Sequence, residues 1–139
     1  MVQIREMETS DYDEAYLLWE SVPGMGLNTL DNSQTGITKL LQKNPGLCFV
    51  AIVNKKIVGT ILGVTDGRKG YLYHVAVSKD YQGQHISKQL IELVKQKFKA
   101  QGIQKIGIFI MNDNQNGKDF WKHQGFDKRK DIEYFDLNL

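Results

Sequence analysis

Tyr71-Leu72-Tyr73-His74-Val75-Ala76-Val77, the turn Ser78-Lys79-Asp80-Tyr81, and Gln82-Gly83-Gln84-His85-Ile86-Ser87-Lys88 form the stretch from which the rest of the chain is read. The first seven residues are aromatic or β-branched for the most part and follow Gly70, which predicts a strand. From Ile86 the apolar positions fall at Ile86, Leu90, Leu93/Val94 and Phe98, which is helical spacing, and Gly102 supplies a stop. A short polar loop with one glycine joins the two. Such a junction aims several backbone N–H groups and the positive end of a helix dipole at one spot, which suits a phosphate or pyrophosphate. An ordinary strand–helix connection reads the same way from these residues alone.

Working outward, Val2–Met7 alternates as a first strand, and Ser10 with Asp13 marks a helix start that runs to Pro23-Gly24. Pro23–Asn32 reads as a loop and Ser33–Lys43 as a second helix, stopped by Asn44-Pro45-Gly46. Leu47–Val53 and Ile57–Thr65 read as strands, and Asp66–Gly70 as the hairpin turn into Tyr71–Val77. After the central helix come a strand at Lys105–Met111 and a short helix within Asn112–Gln124. Two closing strands are expected, one from Gly125-Phe126 and one at Ile132–Leu137. The expected fold class is α/β: a mixed, mostly antiparallel sheet flanked by helices, formed by residues 1–139 as a single domain.

Late in the chain, Asn114…Phe120-Trp121…Gly125-Phe126 resembles the N-x-x-A-x-x-x-Y-x-x-x-G-F pattern of the GNAT superfamily of acetyl-CoA-dependent N-acetyltransferases. Gln82-x-x-His85-x-Ser87 sits where that family carries R/Q-x-x-G-x-G/A, and Val75-Ala76-Val77 looks like its splayed central strand. The order of elements is similar over nearly the whole chain. His85 and Ser87 depart from the family's small residues, and Trp121 stands where its tyrosine would protonate the departing thiolate. An indole N–H donates a hydrogen bond but gives up no proton near neutrality.

The resemblance implies a GNAT-like acyl-CoA N-acyltransferase fold with acetyl-CoA or CoA as co-substrate. It implies that backbone groups along Val75, Ala76 and Val77 pair with the pantetheine. The N–H groups of Gln82, Gly83, Gln84, His85, Ile86, Ser87 and Lys88 would hold the pyrophosphate, with Asn114 and Trp121 also beside the coenzyme. His74 lies two residues before Ala76, where related sequences carry an acidic residue, and its near-neutral titration makes it the candidate catalytic base. On strict alternation it shares a face with Leu72 and Ala76, opposite Tyr71, Tyr73 and Val75. A merely hydrogen-bonded core histidine fits the same position. Tyr73, Phe109 and Tyr134 read as core or channel lining. Trp19, Met25 and Leu27 offer the acceptor an apolar wall, while Glu20 and Asp31 could attract its amine.

Charge and composition narrow the classes. Eighteen Lys and Arg against 16 Asp and Glu argue against a nucleic-acid binder. No leader and no apolar run of spanning length is present, so no membrane is expected. Cys48 is the only cysteine, which fits a reducing cytoplasm, and its place inside a β run reads as core. No metal is expected. The acceptor would be a small-molecule or peptide amine, and edge pairing of the sheet would give a homodimer. The alternative is a non-catalytic acyl-CoA-binding or protein-interaction module that retains the fold.

Overall fold

A computed structural model describes every residue of the chain except Thr29, so the expected Pro23–Asn32 loop is described apart from that position. The elements run β1 (Gln3–Glu6), α1 (Tyr12–Ser21), α2 (Gln34–Lys43), β2 (Cys48–Val53), β3 (Lys56–Thr65), β4 (Gly70–Val77), α3 (Ile86–Ala100), β5 (Ile106–Ile108) and α4 (Gln115–His123). Five strands form one sheet in the order β1-β2-β3-β4-β5. The first four pair antiparallel and β5 lies parallel to β4, with α3 as the crossover.

Local chemistry accounts for the turns. Asn54 and Lys55 both take positive φ, 51° and 65°, as a two-residue β2–β3 hairpin requires. The Asp66 carboxylate accepts the Arg68 and Lys69 N–H groups at 2.9 and 3.1 Å, closing the β3–β4 turn. The entry to α1 is held by Asp11 rather than by the expected Ser10 and Asp13. Its carboxylate accepts Glu8 N–H at 2.8 Å and a two-pronged bond from Arg5 at 2.8 and 2.9 Å. Ser33 caps α2 by accepting Gly36 N–H at 3.0 Å.

Each face of the sheet carries its own core. Val58, Ile61 and Leu72 pack against Leu90, Val94 and Phe98 of α3. Val50, Leu62 and Ala76 pack with Leu18, Trp19 and Ile37 from α1 and α2. Cys48 belongs to the second core, is 1% exposed, and its thiol contacts the Gly63 carbonyl at 3.5 Å. Burial pushes that thiol up to about 12. Among the described residues no helix is long and apolar enough to cross a membrane.

Two expectations for the end of the chain are corrected. Regular pairing of β5 covers only Ile106–Ile108, and residues 125–139 form no strand. Tyr134, Phe135 and Leu137 are 68%, 85% and 82% exposed. Alternating apolar residues make a segment competent for a strand, but the strand exists only where an edge supplies hydrogen bonds. The Asp127–Asp131 run of charges intervenes before the alternation begins. Tyr134 is therefore a surface aromatic rather than core, and Phe109 is half-exposed.

Candidate functional site

The site is made by a parting of strands. β4 and β5 pair at Gly70–Ile106, Tyr71–Gly107 and Leu72–Ile108, and no pair follows. Among the described residues no strand neighbours the β5 side of β4 from Tyr73 to Val77, and a cleft of about 550 Å³ opens there. Val75, Ala76 and Val77 border it on one side; Ile108, Phe109 and Ile110 border it on the other.

The parting coincides with a bulge. The β3–β4 register runs Thr60–Ala76 and then Leu62–Tyr73, so His74 and Val75 both stand opposite Ile61. His74 has φ 51°, the left-handed conformation usually left to glycine at the first bulge position. Its carbonyl accepts the Thr60 hydroxyl at 2.8 Å, and Thr60 in turn accepts the Trp19 indole N–H at 2.8 Å. The imidazole lies against Trp19 with ring centres 4.3 Å apart. The bulge corrects the expected alternation: His74 shares its face with Ala76 and Tyr73, while Leu72 belongs to the opposite core.

The tautomer of His74 follows from its partner. Asn32 Nδ2 donates to the Asn28 carbonyl at 3.2 Å, so Asn32 Oδ1 faces the imidazole and accepts from His74 Nε2 at 2.5 Å. Nδ1 then carries the lone pair, and it is buried with no hydrogen-bond partner among the described residues. Desolvation pulls the His74 pKa down to about 4, opposed by the field of Asp31. The ring is neutral at pH 7. Asn32 and Thr60, which hold it, carry no local sequence signal, because each meets His74 across more than a dozen residues of chain.

At the far end of the cleft is the N-terminus of α3. Gly83 has φ 80° and His85 φ 63°, and the His85 side chain makes no capping bond. No acidic residue occupies the first turn. The N–H groups of Ile86, Ser87 and Lys88 have no acceptor within the helix, as in any first turn. Gln82, Gly83, His85, Ile86 and Ser87 line the cleft; Gln84 and Lys88 do not. The Gln82 amide reaches back to the Val77 carbonyl at 3.1 Å, tying the loop to the end of β4.

Asn114 and Trp121 also line the cleft. Asn114 caps α4, its Oδ1 accepting Gly117 N–H at 2.9 Å. Trp121 is 7% exposed and meets Phe120 and Phe126 edge-on at 5.1 and 4.9 Å. The loop after α1 roofs the opening. A Cβ on Gly24 would lie 2.5 Å from Asn114 Nδ2, and one on Gly26 2.8 Å from the Met111 sulfur, both at positive φ. Met25 lines the cleft, whereas Trp19, Glu20, Leu27 and Asp31 stand outside its wall. Among the described residues no group of three or more His, Cys, Asp or Glu is placed to hold a metal ion.

Residues 3–126 match the model of the acetyltransferase (GNAT) family. An acetyltransferase of Yersinia pestis is 34% identical over 113 residues, covering 81% of this chain and 79% of the relative. A GNAT-family acetyltransferase from Staphylococcus aureus superposes with a TM-score of 0.83 at 23% identity, covering 100% of this chain and 95% of that one. An N-acetyltransferase of Thermoplasma acidophilum, solved with coenzyme A, gives 0.79 at 19% identity over 96% and 93% of the two chains.

Proposed function

The chain belongs to the GNAT family of acetyltransferases, and from that premise we propose that it transfers an acetyl group from acetyl-CoA to a primary amine. The observation that carries the reading is the uncapped, acid-free start of α3 opening onto the gap between β4 and β5. An anion gains there from unsatisfied N–H groups and from the helix dipole. The unpaired edge of β4 offers backbone groups to an extended amide-bearing arm, as an added strand would use them. A structural relative solved with coenzyme A supports the same assignment.

In this reading the pyrophosphate lies against Gly83–Ser87, the pantetheine follows Val75–Val77, and the thioester sits near His74 and Trp121. The amine lone pair attacks the thioester carbonyl, the C–S bond breaks, and the amide forms. The thiolate takes up the proton that nitrogen loses. Positioning on a rigid strand supplies much of the acceleration. Neutral His74, with Nε2 engaged by Asn32, serves to hold the bulged edge in place; any base role falls to the enclosed Nδ1.

The test is calorimetric titration with acetyl-CoA of the wild type and of Ser87→Glu. A carboxylate in the first turn favours the helix and so preserves the fold, yet it repels a pyrophosphate. Affinity should fall about 10- to 100-fold, the worth of one or two charge-assisted bonds. Equal affinity in both proteins would remove the pyrophosphate from this helix end.

A further inference from the structure

Among the described residues the wall of the cleft itself offers no counter-charge for an amine, and it holds no aspartate, glutamate, lysine or arginine. Asp31, whose field reaches His74 and Tyr73, is bonded to Asn28 and lies outside the wall. Beside His74 and Asn114, the wall carries the aromatic and apolar residues Val22, Pro23, Met25, Tyr73 and Phe109. Phe109 is 52% exposed and stacked over Tyr71 at 5.7 Å and Tyr73 at 6.4 Å, with Tyr134 edge-on at 5.2 Å. Phe109 is thus both half-exposed and part of the cleft wall.

From this wall we propose that the acceptor is a monoamine carried on an aromatic group, seated against Tyr73 and Phe109, and not a polycation such as a polyamine or an aminoglycoside. The inference rests on the acetyl-transfer reading above and narrows its substrate. A polycation entering this cleft would shed water from several ammonium groups with no carboxylate in the wall to receive them, a cost of several kcal/mol for each ion that becomes buried. A flat aromatic monoamine brings a single charge and covers the half-exposed ring. The reaction balances without a buried base. An ammonium gives one proton to solvent, the neutral nitrogen attacks the thioester carbon, and the departing CoA thiolate takes the second proton. The products are the N-acetyl amide and CoA thiol.

The experiment measures CoA release with phenethylamine, benzylamine, spermidine and kanamycin, beside acetyl-CoA affinity by calorimetry. Phenethylamine should exceed spermidine and kanamycin in kcat/KM by about 10-fold or more, a margin one aromatic contact supplies. Phe109→Ala should raise KM for phenethylamine about 10-fold. Phe109→Asp should shift the preference toward spermidine. Phe109 is half-exposed, and circular dichroism of both variants confirms that they are folded. Spermidine or kanamycin turned over as well as phenethylamine, or polyamine turnover lost in Asp31→Asn, would overturn the inference and leave acetyl transfer standing. Acetyl-CoA binding with no amine of the panel accepted would also overturn it. No acetyl-CoA binding and no turnover would remove the acetyl-transfer reading itself, and the inference with it.

Discussion

His74 combines three properties that ordinarily conflict: left-handed backbone, a half-buried neutral ring, and a place on the rim of the cleft. The backbone term and the side-chain term can be separated. His74→Gly removes the ring but suits φ 51°, whereas His74→Ala removes the ring and keeps a Cβ in a conformation that costs about 1–2 kcal/mol. In urea, His74→Gly should therefore be the more stable of the two by about 1 kcal/mol. Equal midpoints would mean that the bulge has relaxed in both. The same residue sets a pH dependence. Its folded pKa, about 4, lies below the ordinary value of 6.5, so the unfolded chain binds the extra proton between them. Stability is then complete above pH 6.5 and declines as pH falls toward 4, by at most roughly 3 kcal/mol from this group. His74→Gln should flatten that part of the curve; an unchanged slope would assign the acid sensitivity elsewhere. Tyr71–Val77 shows as a strand in its own residues, but the turn of His74 onto the Trp19 face does not. A bulge is decided by what stands across the sheet, here Ile61 and Thr60.

The cleft owes its opening to a disagreement between elements. β5 leaves β4 after three pairs, and the loop after α1 comes close enough to roof the gap only because Gly24 and Gly26 lack side chains. Gly24→Ala would place a methyl against Asn114 Nδ2 at φ +83°. It should cost about 1–2 kcal/mol and disturb the α4 cap at the same time. Thermal unfolding and the acceptor KM are the readouts: a lowered midpoint with a raised KM is expected, and a neutral substitution would mean that the roof is not packed. The loop and helix from Gln82 to Ala100 are legible because a period of two gives way to a period near 3.6 within one short stretch. The length of β5 is not legible. Lys105–Met111 is apolar enough for seven residues of strand, and only the divergence from β4 limits it to three.

Across the whole molecule, the order of elements through α4 follows from local patterning, and two cores back to back on one sheet follow from the strands' apolar runs. The last residues break that correspondence, since their alternation meets no open edge. Because Ile132–Leu139 is exposed, removing residues 132–139 should change stability by no more than about 0.5 kcal/mol. A large loss would show that this segment pairs with a sheet edge in solution. The buried thiol of Cys48 has a use of its own. With its pKa near 12 and the side chain 1% exposed, it is silent toward thiol reagents in the native state. If the proposed transfer from acetyl-CoA is the reaction, a disulfide dye added during turnover would report the thiol product against a blank protein. In rising denaturant the same dye, with no coenzyme present, counts openings of the second core one molecule at a time.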